Sequence, residues 1–132
     1  FFAIMDDAKA NPETVNRIIF CSGKVYYDLL QYREENNLTD QAAIIRIEQL
    51  YPLHTGKIQH VAGAFKGAKK LVWCQEEPEN MGAWGFILPK LLNLFPGYIH
   101  YAGRPASASP AAGTMQVHLT QQAALVKQAF EI

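Results

Sequence analysis

Ile18-Ile19-Phe20-Cys21-Ser22-Gly23-Lys24-Val25-Tyr26-Tyr27-Asp28-Leu29-Leu30 is the stretch on which the fold turns. Its first four residues form a β-branched and aromatic run, the composition of a buried strand, and Ser22-Gly23 ends it. From there the pattern changes period. Val25, Tyr26, Leu29 and Leu30 share one helical face, while Lys24, Asp28, Gln31 and Glu35 lie away from it. Ser22 is placed to cap the helix start by accepting from an otherwise unpaired amide, and Asn36-Asn37 supply the stop. A strand that feeds a helix directly is the first half of a βαβ unit.

The same unit recurs from Arg17 to the end of the chain. Ala42-Ala43-Ile44-Ile45-Arg46-Ile47 reads as a second strand, and its near-continuous apolar character suits a parallel sheet covered on both faces. Pro52 marks a turn, and Ile58, Val61, Ala62 and Phe65 carry a shorter helix. After Gly67, Leu71-Val72-Trp73-Cys74 is the third strand; Trp84, Ile87, Leu88, Leu91, Leu92 and Phe95 then keep helical spacing. Pro89 lies inside that helix, which predicts a kink or a late start. Pro96-Gly97 breaks it, Tyr98-Ile99-His100-Tyr101 is the fourth strand, and Gly103 to Gly113 is too irregular for either period. A last helix runs from about Met115 to Phe130, with Gln122, Leu125, Val126, Ala129 and Phe130 on one side. Residues 1–16 show no period and read as a connecting arm, with a turn at Asn11-Pro12. Residues 17–132 then form one α/β domain, a three-layer doubly wound and mostly parallel sheet.

Bulk properties exclude several classes of function. Lys plus Arg equals Asp plus Glu at 12 each, so no global field favours nucleic acid or an anionic membrane. No apolar stretch approaches the roughly 20 residues of a membrane span, and the first residues lack a signal-peptide layout. Cys21 and Cys74 sit in apolar segments and read as reduced, buried thiols. The opening Phe1-Phe2, without an initiator Met, suggests a piece of a longer chain.

In an open α/β sheet, ligands and partners meet the carboxyl ends of the strands. The loops predicted there are Ser22-Gly23-Lys24, Glu48-Gln49-Leu50-Tyr51-Pro52, Gln75-Glu76-Glu77-Pro78-Glu79-Asn80 and Gly103-Arg104-Pro105-Ala106-Ser107-Ala108-Ser109-Pro110. They would gather acids, an arginine, two serines, Tyr51 and Met81 on one edge. Ser22-Gly23 at a helix start suits an anion, but a plain N-cap is the expected role, since no Gly-x-Gly-x-x-Gly or Walker pattern exists. Glu48, Glu76 and Glu77 lack the His–carboxylate spacing of a metal site, so ion pairs or interface contacts are expected of them. The Arg104–Pro110 segment combines rigid prolines with small residues and reads as a docking surface. His54, His60, His100 and His118 are scattered and take structural roles. No catalytic, cofactor-binding or metal-binding residue emerges from these patterns.

Four strings go further. Cys21-Ser22-Gly23-Lys24-Val25-Tyr26-Tyr27-Asp28-Leu29, Arg46-Ile47-Glu48-Gln49-Leu50-Tyr51-Pro52, Trp73-Cys74-Gln75-Glu76-Glu77-Pro78 and Tyr101-Ala102-Gly103-Arg104-Pro105-Ala106-Ser107-Ala108-Ser109-Pro110 occur in order along the chain. Together with the Asn11-Pro12-Glu13 arm, they resemble the transketolase-like C-terminal domain of the 2-oxoglutarate dehydrogenase decarboxylating component. The resemblance implies a parent enzyme that uses thiamine diphosphate and Mg to decarboxylate 2-oxoglutarate. That parent works as a homodimer and passes the succinyl group to dihydrolipoyl succinyltransferase. It implies a domain that packs on other domains of the same chain, supports assembly and is itself noncatalytic; the Gly-Asp-Gly motif of thiamine enzymes does not occur here. Some members of the family bind a regulatory acetyl-CoA on this domain. Carried over by position, that implicates Gln49 and Lys57, with Arg104, and leaves Ser107, Ser109, Glu76 and Glu77 as effector or interface candidates. A 2-oxoadipate-type paralogue shares the same features. The resemblance implies a cytoplasmic location for a bacterial source and the mitochondrial matrix for a eukaryotic one.

Overall fold

The computed structural model describes residues 3–106 and 114–132. In chain order the elements are β1 (Ile4–Met5), β2 (Arg17–Cys21), α1 (Val25–Glu35), β3 (Ala42–Ile47), α2 (Thr55–Gly63), β4 (Lys70–Pro78), α3 (Trp84–Leu94), β5 (Ile99–Arg104) and α4 (Met115–Glu131). The strands form one sheet in the order β1-β3-β2-β4-β5. β3, β2, β4 and β5 run parallel, and β1 joins antiparallel at the β3 edge, Ile4 opposite Ile47.

The strand order reverses direction once. The chain steps from β2 outward to β3, then returns across β2 to β4 and continues to β5. Crossovers of one hand must then use opposite faces of the sheet, and the side chains divide accordingly. Ile18, Phe20, Ala43, Ile45 and Trp73 pack under α2 and α3, with Ile58, Val61, Ile87 and Leu91. The alternate residues Ile19, Cys21, Ile44, Val72, Cys74 and Ala102 pack under α1 and α4, with Val25, Leu29, Leu125, Val126 and Ala129. This period-2 alternation makes the unbroken apolar runs of β2 and β3 necessary, since both faces are covered.

Several elements differ from the sequence reading, each for a physical reason. The arm is stitched onto the domain: β1 pairs with β3, and where β1 leaves the sheet edge, Asp7 Oδ2 accepts from Ile44 N at 2.7 Å in place of a strand carbonyl. That carboxylate also pairs with Arg33 of α1, both side chains being no more than 5% exposed, and Arg33 Nη1 donates to Ala42 O at 3.0 Å. The buried stripe of α1 is therefore Val25, Leu29 and Arg33, with Tyr26 and Leu30 half-buried. Ser22 is not the cap of α1. Gly23 turns the chain at φ +80°, Lys24 occupies the cap position without a side-chain bond, and backbone turns from Gly23 O and Lys24 O open the helix. β4 runs on through Gln75–Pro78, which the sequence reading gave to a loop, and β5 covers Ile99–Arg104 rather than 98–101. α3 is continuous from Trp84 through Pro89 to Leu94, so it does not start late. The amide that Pro89 lacks would have bonded to Gly85, and Gly85 has no neighbour near its Cβ position. α4 begins at Met115 as expected, with Thr114 Oγ1 accepting from Val117 N at 3.1 Å.

Candidate functional site: the carboxyl edge of the sheet

Strand parity decides what each residue at this edge touches. On β4, Trp73 and Gln75 point toward α3, while Cys74 and Glu76 point toward α1 and α4. On β5, Tyr101 and Gly103 share the α3 side, and Ala102 and Arg104 the α4 side. The edge is thus built as two polar assemblies back to back.

Gln75 organises the α3 side. Its side chain is buried, and Oε1 accepts from Trp73 Nε1 at 2.9 Å and from Trp84 N at 3.0 Å. Its Nε2 faces the carbonyls of Glu77, Pro78 and Met81 at 3.1, 2.9 and 2.9 Å. One amide therefore fixes the turn that follows β4 and the first residue of α3, satisfying groups that would otherwise be buried unpaired. Tyr101 donates to Arg104 O at 2.7 Å, and its ring tilts against Trp84 with centroids 5.1 Å apart. Burial pushes the Tyr101 hydroxyl up to about 12, with the carboxylates of Glu79 and Glu77 adding to the rise. The hydroxyl folds back over Gly103, where a Cβ would stand 2.5 Å from it and 2.9 Å from Gln75 O. Only glycine fits there.

Arg104 organises the other side. It is 7% exposed. Nε donates to Gln121 Oε1 at 3.1 Å, Nη2 to Gln122 Oε1 at 3.0 Å and to His118 O at 3.3 Å, and Nη1 to Glu76 O. Gln122 Nε2 in turn donates to Asp28 at 2.8 Å and to Glu76 Oε1 at 2.9 Å, and Lys24 Nζ pairs with that same Glu76 oxygen at 2.8 Å. The Glu76 hydrogen bond and charge raise the Lys24 ammonium above its ordinary range. Further along, Arg46 pairs with Glu48 and lies 5.1 and 5.2 Å from the ring centroids of Tyr26 and Tyr27. β4, β5, α1 and α4 are tied together by this network.

The carboxyl ends of β2 and β4 diverge where the strand order reverses, the position at which open α/β sheets form a crevice. A crevice of 330 Å³ lies there, lined by Ser22, Gly23, Leu50, Tyr51, Trp73, Gln75, Glu76, Glu77, Gly82 and Ala83. The Tyr51–Pro52 peptide is cis, and the Tyr51 ring rests on Phe86 with centroids 4.3 Å apart while remaining 71% exposed.

The residues singled out in the sequence fall apart in space. Gln49 donates to Pro52 O at 3.4 Å, and Lys57 is exposed on the first turn of α2. Both follow β3, whereas Arg104 ends β5, three strands away, or about 14 Å at the usual inter-strand spacing. Arg104 also belongs to a strand rather than to the docking loop of the sequence reading, and its donors are committed internally. Ser107 and Ser109 lie outside the described residues. Glu76 joins the network above, and Glu77 lines the crevice mouth. Sequence reasoning missed Gln75, Gln122 and Gly82. Gln75 was legible in principle: period 2 from the buried Trp73 places its amide on the covered face.

Among the described residues, no three His, Cys, Asp or Glu side chains stand together in a way that could hold a metal ion. The surplus of Asp28, Glu48, Glu76, Glu77 and Glu79 over Lys24, Arg46 and Arg104 along this edge would repel a diphosphate. The residues of this edge therefore do not fit a diphosphate group. No helix among them is long and apolar enough to cross a membrane.

The layers, the strand order and the switch-point crevice define a doubly wound α/β domain of the transketolase type. A split-gene transketolase, solved as an inactive β4 tetramer, shares the fold with a TM-score of 0.61 over 90% of this chain and 40% of its own, at 15% identity. The family model for the 2-oxoglutarate dehydrogenase C-terminal region matches residues 1–130, and the chain belongs to that family. The 2-oxoglutarate dehydrogenase E1 component of Cupriavidus necator is 46% identical over 129 residues, and that of Brucella abortus 42% over 142. Each alignment covers 96% of this chain but 14% of the relative, so the chain spans about one-seventh of their length.

Proposed function

We propose that this chain is a noncatalytic assembly domain of a thiamine diphosphate-dependent 2-oxoglutarate dehydrogenase. The parent oxidatively decarboxylates 2-oxoglutarate, as a homodimer in the bacterial cytoplasm, and transfers the succinyl group to the lipoyl arm of dihydrolipoyl succinyltransferase. Thiamine diphosphate and Mg are held by other domains of that parent. One observation carries this reading: the side chains of Arg104, Gln75, Gln122, Glu76, Lys24, Arg46 and Glu48 are all engaged by neighbouring side chains or backbone, Gln121, Asp28 and Trp73 among the partners. Such an edge is a rigid surface and not a set of groups poised to react. Met115, Val117 and Leu119 at the start of α4 stay exposed, which suits a domain that packs on further parts of a longer protein.

The test has two arms. The chain alone, given thiamine diphosphate, Mg and 2-oxoglutarate, is expected to release no CO2. Added to a parent enzyme truncated before this segment, it is expected to restore the dimer on gel filtration. Turnover by the chain alone overturns the reading, and so does a truncated parent that dimerises and turns over normally.

A further inference from the structure

Beyond the assembly role, and independent of it, we propose that the crevice between the carboxyl ends of β2 and β4 binds a small molecule bearing a guanidinium group, which lies between the Tyr51 ring and the Glu77 carboxylate. Its volume of 330 Å³ is at the lower end of the range for small-molecule sites, enough for a ligand the size of a single amino acid. Its chemistry is selective. Leu50, Tyr51 and Trp73 supply an apolar and aromatic wall, and the charged residues that line it are Glu76 and Glu77. Glu76 is already paired with the Lys24 ammonium and accepts a hydrogen bond from Gln122. Glu77 has no side-chain hydrogen bond or ion pair with another described residue, although it is not a freely waving side chain.

Gly82 holds Glu77 in position. With φ at +66°, it lies under the Glu77 side chain so closely that a Cβ would stand 3.0 Å from Glu77 Cβ and 3.2 Å from its carboxyl carbon. The turn carrying Gly82 is itself pinned by the Gln75 amide through Met81 O. A carboxylate therefore lines an aromatic-walled crevice with no charge partner among the described residues. Phe86 lies tilted against the Tyr51 ring, and Tyr51 as a residue is still 71% exposed, which leaves part of its side chain accessible to a ligand. A flat cation that stacks on an aromatic face and meets a carboxylate with paired N–H donors matches both features, and guanidinium does this better than a compact ammonium. An anion meets the opposite: the charged residues lining the crevice are both acids, Glu76 and Glu77, which disfavours nucleotides and coenzyme A there.

The experiment is an amide and side-chain NMR titration of the full chain with agmatine, with N-acetyl-arginine amide, and with AMP as the anionic comparison. Saturable shifts confined to Tyr51, Glu77, Gly82 and Ala83 with either guanidinium probe are the expected result, and the tighter probe tells a free metabolite from an arginine side chain. Glu77→Gln and Tyr51→Ala should each weaken binding about tenfold, and added salt should weaken it further. Gly82→Ala removes no charge and should weaken it too, by displacing Glu77. No saturable shift with either probe overturns the proposal. So does binding that ignores both Glu77→Gln and Tyr51→Ala, or AMP binding at the same residues with equal affinity.

Discussion

Removing the Asp7 carboxylate isolates the strongest claim about how this chain is held together. Asp7 and Arg33 are 5% and 3% exposed at their side chains, and the carboxylate serves four donors: Nη1 and Nη2 of Arg33, the Ile44 amide and the Lys9 amide. In Asp7→Ala the guanidinium keeps only the Ala42 carbonyl, at 3.0 Å, and stays buried without a counter-charge. Breaking one side of a buried pair in this way costs about 3–5 kcal/mol, because the remaining charge is stranded rather than because the pair was worth that much. Against a total stability of roughly 5–15 kcal/mol this is a large fraction. For a domain of this size it corresponds to a fall of about 10–20 °C in Tm. Urea unfolding of Asp7→Ala, Arg33→Met and the double variant measures it as a cycle. The double variant, which strands no charge, is expected to be more stable than Asp7→Ala by at least about 1 kcal/mol. A loss below about 1 kcal/mol in the single variants would refute the reasoning, as would a double variant whose loss is the sum of the two.

Other predictions follow from the same geometry. Gly103→Ala would drive a methyl into the Tyr101 hydroxyl and the Gln75 carbonyl, at 2.5 and 2.9 Å, and should cost about 1–3 kcal/mol in denaturant unfolding; a neutral result would mean that Tyr101 swings away freely. Cys21 and Cys74 are fully buried and burial raises both thiols, Cys74 to about 12. Neither should react with an aromatic disulfide at pH 8 until the chain unfolds, so fast labelling of the folded protein would contradict the packing. The same shifts give the alkaline behaviour its sign. Cys21, Cys74 and Tyr101 hold their protons more tightly folded than unfolded, so their contribution is fully present below the unfolded thiol range near pH 9 and is lost as pH rises toward about 12. The denaturation midpoint should fall progressively above pH 9, less steeply in Cys74→Ala; a midpoint flat to pH 11 would oppose this.

How much of this was legible in the sequence depends on the length scale of the cause. β2, β3 and α4 were readable because each is set by its own side-chain period, and the three layers follow from alternating periods. Gln75–Pro78 was misread as a loop because a Gln-Glu-Glu-Pro run has the composition of one. It is a strand because β4 stays paired with β5 as far as Pro78 opposite Arg104, while the Gln75 amide bonds back to Trp73 and forward to groups up to nine residues further along the chain. Arg33 was not singled out, for the same kind of reason: its partner Asp7 sits in an arm without any period, and no local pattern announces a pair separated by 26 residues. Ser22 was chosen as a cap on residue type alone, and the positive φ of Gly23 moved the helix start by two residues. For the candidate site, the strand ends indicated which loops share an edge. Which side chains meet across it was fixed by strand order, and that put Gln49 and Lys57 on one flank and Arg104 on another.

Strand order also explains why Arg104 matters to a surface it does not itself expose. Leu125, Val126, Ala129 and Phe130 bury the second half of α4 in the core, while the first half carries Met115, Val117 and Leu119 into solvent. With no apolar anchor under those turns, the direction in which the helix leaves the core rests on polar contacts at His118, Gln121 and Gln122: Arg104 donates to all three, and Gln122 Nε2 adds bonds to Asp28 and Glu76. Arg104 is in turn fixed to β4 through the Glu76 carbonyl. In Arg104→Lys one ammonium cannot span three residues of a helix and a strand carbonyl together. The core half of α4 would keep its packing, and the exposed half would lose its orientation. Hydrogen exchange should therefore quicken at residues 115–122 in that variant and stay unchanged at 125–130. Equal quickening along the whole helix would mean that the core, and not Arg104, sets how the apolar end is presented.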